Sequence, residues 1–304
     1  MGKYRRVARR ALSALLRRDH SEWQRQKRLL AFYLLQGEAE TVTFVREGTE
    51  WTVFAEGDSM FRDMFVDGGY QAAETAAVVR WAAVAGRLAA DKHVIIDVGA
   101  NIGMTSIVLA QLTEKRILAI EPVPQTFDLL RRNVARNGLD HRIDCVQAAV
   151  CSHDGRTTMV RHPRCGNCEV KTAGGEQGFG PLTSAHDLVE VPAKRLEALL
   201  SHDAPAAVGL VWSDTQGFER HVVLSGGPLW RAGVPLYVEL WPAGLAAHGG
   251  VAAFVQEAQA HFSTMVLRDE LVHDGAQASR LPLSQLPAVL AALGERTTDA
   301  LFIP

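Results

Sequence analysis

From residue 94 onward, short apolar runs alternate with amphipathic stretches, a rhythm that predicts strand followed by helix in a parallel sheet. The pattern predicts a strand at 94–98, a helix at 103–112, a strand at 117–121, a helix at 124–137 that stops near Asn137-Gly138, and a strand at 143–150. Between Ser152 and Pro192 the rhythm breaks. Gly-rich 173–181 reads as loop, with short strands at 157–160 and 188–191. It then resumes with a helix at 195–200 and strands at 208–213, 235–240, 264–267 and 300–303. Upstream, Thr41 to Ala55 alternates around Arg46-Glu47-Gly48 as a β-hairpin does, and an Ala-rich helix follows over about 72–88. Ahead of it, Val7, Ala11, Ala14, Leu15, Leu29, Leu30 and Leu34 fall at the spacing of a basic amphipathic helix, interrupted at Asp19-His20-Ser21. The expected organisation is a basic helical arm at 1–40, a hairpin-and-helix cap at 41–90, and an α/β domain at 91–304 with a variable insertion at 152–192.

The first strand carries the candidate chemistry. It ends in Asp97-Val98-Gly99-Ala100-Asn101-Ile102-Gly103, a turn of small residues opening into a helix, which can deliver a nucleotide-like ligand to a helix N-terminus. The next strand ends in Glu121-Pro122, which puts an acid 22 residues after Gly99, the spacing at which a second strand offers a carboxylate to ribose hydroxyls. Dinucleotides and S-adenosylmethionine both use that arrangement. A dinucleotide fingerprint wants G-x-G-x-x-G under its pyrophosphate, and here the middle position is Asn101. An acid opening the turn and an amide inside it suit a ligand without phosphate and with an ammonium, as in the methionine half of S-adenosylmethionine.

Composition adds an asymmetry. The 304 residues are 47% hydrophobic and 22% charged, with a net charge of −2, as in an ordinary globular protein. Residues 1–28, however, hold ten Lys or Arg against Asp19 and Glu22, so that segment is +8 and the remainder −10. The bulk is therefore not a nucleic-acid binder by charge, while the arm suits helix packing, a second subunit, or peripheral contact with an anionic membrane. No signal-peptide apolar core and no stretch of transmembrane length is present, and cytoplasmic residence is the expectation. Cys145, Cys151, Cys165 and Cys168 fall within 24 residues without the look of a secreted disulfide framework. The Cys165/Cys168 pair reads as incidental thiols, a redox pair, or half of a zinc site needing further ligands from Cys151, His153 or His162.

Ligands in such sheets bind outside the carboxyl ends of the strands. Two later strands end in Trp212-Ser213-Asp214-Thr215-Gln216-Gly217-Phe218-Glu219 and Tyr237-Val238-Glu239-Leu240-Trp241. Asp214, Glu219 and Glu239 thereby become candidates for a general base or for holding a divalent metal, which the carboxylate spacing permits without requiring. Asp214 is the first choice of base, with Glu239 beside it and His186 from the insertion as the alternative. Trp241 is the candidate to stack on a sugar.

Taken together, Asp97 to Gly103, Glu121-Pro122-Val123-Pro124 with Phe127 and Leu130, Asn133 and Asn137, and Asp214 to Glu219 resemble the FkbM-type methyltransferases over residues 68–242. The resemblance implies a class I methyltransferase fold, a seven-stranded, mostly parallel sheet with an antiparallel last strand, and methyl transfer from S-adenosylmethionine, usually to a hydroxyl of a small molecule, natural product or sugar. It implies that Asp97, Gly99, Ala100, Asn101 and Gly103 flank the methionine portion, that Glu121 with Pro122 holds the ribose, and that Gln147 or Ala148 borders the adenine. Asp214 lies at the cofactor's reactive end. Family members commonly carry a Lys two positions before the aspartate that follows the 208–213 strand, and this chain has Trp212 there. Two other readings stay open: an NAD-dependent oxidoreductase, and a catalytically silent methyltransferase-like module recruited by the basic arm. A homodimer through exposed apolar positions of the arm is compatible with either.

Overall fold

The computed structural model describes residues 2–16, 19–35, 38–55, 59–68, 71–161, 168–170, 188–200 and 203–304. They fall into two compact units, the first closing at Tyr70 and the second opening at Gln71.

In the first unit, helices α1 (Gly2–Leu16) and α2 (His20–Leu35) pack together and are followed by the hairpin β1 (Thr41–Arg46) and β2 (Thr49–Phe54). Glu47 and Gly48, at φ 51° and 83°, make the two-residue turn, whose left-handed backbone matches the twist of the paired strands. A short helix α3 (Ser59–Arg62) runs on into a wide turn over Asp63–Asp67. Phe32 lies 5.0 Å from Phe61 and Phe44 lies 5.1 Å from Phe65, ring to ring, forming an aromatic core with buried Leu29, Trp51 and Val53. Arg25 clamps this core's edge through Asp67 at 2.7 Å. The hairpin thus shares its unit with the arm. The Ala-rich helix expected beside it, α4 (Ala72–Val84), belongs to the second unit.

The second unit alternates as the apolar rhythm predicts: β3 (Val94–Val98), α5 (Met104–Leu112), β4 (Arg116–Ile120), α6 (Pro124–Arg136) and β5 (Ile143–Val146). Every residue of β3 is buried, which explains its near-continuous apolar run. Three strands, β6 (Ala149–Val150), β7 (Gly155–Arg161) and β8 (Cys168–Val170), lead to β9 (Leu188–Lys194) and β10 (Val208–Ser213). Helices α7 (Glu219–Ser225) and α8 (Gly227–Arg231) precede β11 (Leu236–Leu240); α9 (Pro242–Ala247) and α10 (Val251–His261) precede β12 (Thr264–Leu267). The chain ends through α11 (Arg268–Asp274), β13 (Leu281–Pro282), α12 (Leu286–Leu293) and β14 (Thr298–Ile303).

The main sheet has the order β13-β12-β14-β11-β10-β3-β4-β5. Strands β5, β4, β3, β10 and β11 pair in parallel, and β14 is antiparallel to both β11 and β12. This is the class I methyltransferase sheet, with the antiparallel last strand inserted next to β11 and a two-residue eighth strand, β13, added at the edge. One face buries Val94, Ile96, Val98, Val211, Val238 and Leu240 with α7, α8, α10 and α12. Tyr237 is fully buried, and α4 packs on α5 and α11. Order reverses between β3 and β10, so the crevice at their carboxyl ends is where such a sheet binds ligands.

Two expectations needed revision. The strand predicted at 143–150 is split, because Ala149 and Val150 leave the main sheet to pair with Ala193 and Lys194 of β9. The break between 152 and 192 contains a second sheet, β6-β9-β7-β8, with its own small core of Val123, Ala149, Cys151, Met159, Val191 and Ala193 closed by Phe218. The helix expected at 195–200 is present in the tighter 3-10 form over Leu196–Leu200. Among the described residues no helix is long and apolar enough to cross a membrane.

Candidate active site

Three turns meet at the switch point, and the first is the one after β3. Gly99, Asn101 and Gly103 have φ of 83°, 52° and 96°, so the chain turns through left-handed backbone before entering α5. The N–H groups of Gly99 and Ala100 both donate to the Ile120 carbonyl at 2.9 Å, pinning this turn to the end of β4. Asp97 is 1% exposed and accepts the Ser106 hydroxyl, which ties the strand to α5. Burial pushes its carboxyl up to about 7, the nearby Asp214 charge adding to the rise and Ser106 opposing it.

Glu121 begins the second turn. Its two oxygens accept the Asn101 N–H at 3.1 Å and the Val123 N–H at 2.9 Å, so the acid of one strand end holds the turn of the other. Burial raises this carboxyl to about 7 despite both backbone donors. The side-chain oxygen of Asn101 is buried and has no hydrogen-bond partner among the described residues. A buried acceptor without a donor is costly unless a ligand supplies one. Gln147 is part-exposed after β5, its amide reaching toward the Pro122 carbonyl at 3.4 Å, whereas Ala148 is packed in the apolar core. Of the two, only Gln147 keeps part of its side chain exposed.

The third turn follows β10. Asp214 donates its N–H to the Val98 carbonyl at 3.0 Å, and its own carbonyl abuts Gly99. Gln216 and Gly217 take φ of 55° and 95°. This strained loop is braced from within by Glu219, fully buried, one oxygen of which accepts from Thr215 N–H at 3.0 Å, Thr215 Oγ1 at 2.9 Å and Gly217 N–H at 3.2 Å. Gln216 donates through Nε2 to Asp214 Oδ1 at 2.5 Å and to Glu239 Oε2 at 3.4 Å, and so bridges the carboxylates of adjacent strand ends.

Glu239 stands directly opposite Asp299 in the antiparallel β11–β14 ladder, an arrangement that repels when both are charged. Burial, with the charges of Asp214, Glu219 and Asp299, pushes Glu239 well above the ordinary carboxylate range, and burial beside Glu74 pushes Asp299 to about 8. Arg268 offsets part of this, 3.8 Å from Asp299. Glu74, from α4, accepts the Tyr237 hydroxyl at 2.7 Å, and the Tyr237 ring lies 4.2 Å from Trp212. The position where the resemblance expects a Lys is thus occupied by a buried aromatic pair.

The structure therefore brings together Asp97, Gly99, Ala100, Asn101, Gly103, Glu121, Pro122, Asp214 and Glu239. His186 lies outside the described residues, as do Cys165 and His162. Trp241 is buried, packed over Gly244, and Cys151 lies in the small core with its thiol raised to about 11 by burial. Among the described residues no three His, Cys, Asp or Glu side chains are grouped to hold a metal ion. Sequence reasoning passed over Ser106, Glu74, Asp299 and Arg268. Only Ser106 lay close to the turn along the chain; the other three come from far-off elements with no local motif.

Residues 97–258 match the methyltransferase FkbM domain model, slightly more than half of the chain. Methyltransferase sdnD from Sordaria araneosa is 34% identical over 70 residues, 23% of this chain and 27% of that protein, so the match spans about a quarter of the curated relative. Among solved structures, a candidate O-methyltransferase from Klebsiella pneumoniae is 13% identical, with 77% of this chain and 79% of that one covered and a TM-score of 0.41. The M. jannaschii tRNA m1G37 methyltransferase is 11% identical, covering 87% and 56% at a TM-score of 0.40.

Proposed function

The chain belongs to the FkbM methyltransferase domain family, and we propose that it transfers the methyl group of S-adenosylmethionine to a hydroxyl oxygen of a small molecule or glycan. The observation that supports this most is the pairing of Asp214 and Glu239 through Gln216, at adjacent parallel strand ends beside the Gly99 turn.

The donor set of the crevice fits the cofactor. Glu121 retains free lone pairs for ribose hydroxyls beyond the two N–H groups it accepts, and the unpartnered Asn101 oxygen is an acceptor in want of a donor. Asp97 adds negative charge behind the turn for an ammonium, the Gly99–Gly103 backbone lines the methionine side, and Pro122 and Gln147 border ribose and adenine. S-adenosylmethionine, when bound, supplies a methyl group on an already activated sulfonium.

What remains for the chain is alignment of the acceptor and removal of its proton. A hydroxyl is a weak nucleophile until that proton leaves. Burial raises the Asp214 carboxyl above its ordinary range, and burial with the charges of Asp214, Glu219 and Asp299 raises Glu239, so each accepts a proton more readily than an exposed carboxylate does. Asp214, half-buried and oriented by Gln216, is the proposed base, and the same amide donates to Glu239 and so fixes the second carboxyl beside it.

Calorimetric titration with S-adenosylhomocysteine and NAD, followed by labelled methyl transfer to panels of hydroxyl and amine acceptors, tests the proposal. Binding of the sulfur ligand and labelling of hydroxyl acceptors is expected. Binding without labelling of any acceptor would leave a silent module, NAD binding alone an oxidoreductase, and labelling confined to amines would displace the O-methyl reading.

A further inference from the structure

Helix α1 is divided lengthwise into three sectors. Val7 and Ala14 are buried at 6% and 0% exposure, with part-buried Ala11 between them, and form the side that packs on α2. Ala8, Leu12 and Leu15 lie roughly 80–140° round the helix from Val7. Leu12 and Leu15 are 57% and 52% exposed there, an apolar stripe that no described residue of the first unit covers. Arg6, Arg9 and Arg10 occupy the remaining side, all exposed.

A stripe of leucine on a helix with an arginine face is the form that lies in a membrane interface, leucines among the acyl chains and arginines among the headgroups. The charge distribution selects the surface. With +8 in residues 1–28 and −10 in the rest, an anionic bilayer attracts the arm and repels the remainder. A symmetric contact between two arms would instead bring two +8 segments together. We propose that α1 docks this protein, through Leu12 and Leu15 and the surrounding arginines, on an anionic lipid surface.

The test is co-sedimentation of the full-length protein with vesicles of phosphatidylcholine alone and of phosphatidylcholine with phosphatidylglycerol, at low and high salt. Binding only to the anionic vesicles, weakened by salt, is expected. Leu12→Asp with Leu15→Asp should weaken it roughly tenfold or more, and Arg6→Gln with Arg9→Gln and Arg10→Gln on the order of 100-fold. Neither variant touches Val7 or Ala14, so the thermal midpoint should stay at the wild-type value, which separates lost docking from lost folding. Absence of vesicle binding overturns the proposal. So does binding indifferent to the leucine pair, which would leave charge alone at work, and so does a concentration-dependent dimer that the leucine variant dissolves, which would assign the stripe to a second copy.

Discussion

Gly99 lies hard against Asp214: a methyl group on its Cα would sit 2.0 Å from the Asp214 carbonyl oxygen. Its φ of 83° would strain any other residue as well. Gly99→Ala should therefore push the β3 and β10 turns apart, lowering stability by about 2–4 kcal/mol and weakening S-adenosylhomocysteine binding roughly tenfold or more. Gly138→Ala is the control. At φ 66° with open space around it, it should cost only about 1 kcal/mol and leave binding alone. Thermal melts and calorimetry on the two variants check both.

Glu219 accepts three donors of the Asp214–Gly217 turn with a single oxygen, while its other oxygen is buried without a partner among the described residues. Glu219→Ala should strand those donors at about 2–4 kcal/mol and lower kcat by loosening the turn that carries Asp214. In Glu219→Gln the amide oxygen can take over all three bonds, so stability within about 1 kcal/mol of wild type and near-normal kcat are expected. Equal loss in the two variants would show that the charge, not the brace, is what matters.

Much of this arrangement was legible along the chain because it is local. The β3 and β10 turns are each written within eight residues or fewer, and periodicity located the strands that present them. What escaped depends on pairings between distant segments. Asp299 matters because register sets it opposite Glu239, and Glu74 because Tyr237 reaches it from a strand some 160 residues on. The pairing of the second sheet was missed for the same reason, although two of its strands were read at 157–160 and 188–191. Ala149–Val150 reads as a continuation of β5 until β9 offers it a partner. The hairpin kept its place because its turn residues alone determine it.

Asp97 and Glu121 give a pH signature. Their folded carboxyls titrate near 7, above the ordinary unfolded values, so between roughly pH 4 and pH 7 the folded state holds protons that the unfolded chain has released. The stability they contribute is full below the unfolded pKa and is lost as pH rises through the folded one. Thermal midpoints of the ligand-free protein should fall between pH 5 and pH 8, and the slope should flatten in Glu121→Gln and in Asp97→Asn. A wild-type midpoint that rises over the same interval would refute the assignment. S-adenosylhomocysteine should recover the most stability at the alkaline end for wild type, and much less for Glu121→Gln, which loses the charge proposed to hold the ribose.

Base and bystander separate at the Gln216 bridge. If Asp214 takes the acceptor proton, Asp214→Asn should lower kcat by about 10²–10⁴ and remove the acid limb of the kcat profile, with S-adenosylhomocysteine affinity retained. Glu239→Gln should keep the limb, because Asp214 is still present and still oriented by the Gln216 amide. Asp214→Asn also removes the charge that holds the Glu239 carboxyl up, so in that variant Glu239 should ionise at lower pH and hold a proton less well near neutrality. Rate profiles of the two variants on one acceptor decide the matter. Loss of the limb in Glu239→Gln alone would transfer the base to Glu239, and survival of both limbs would place proton removal outside this pair.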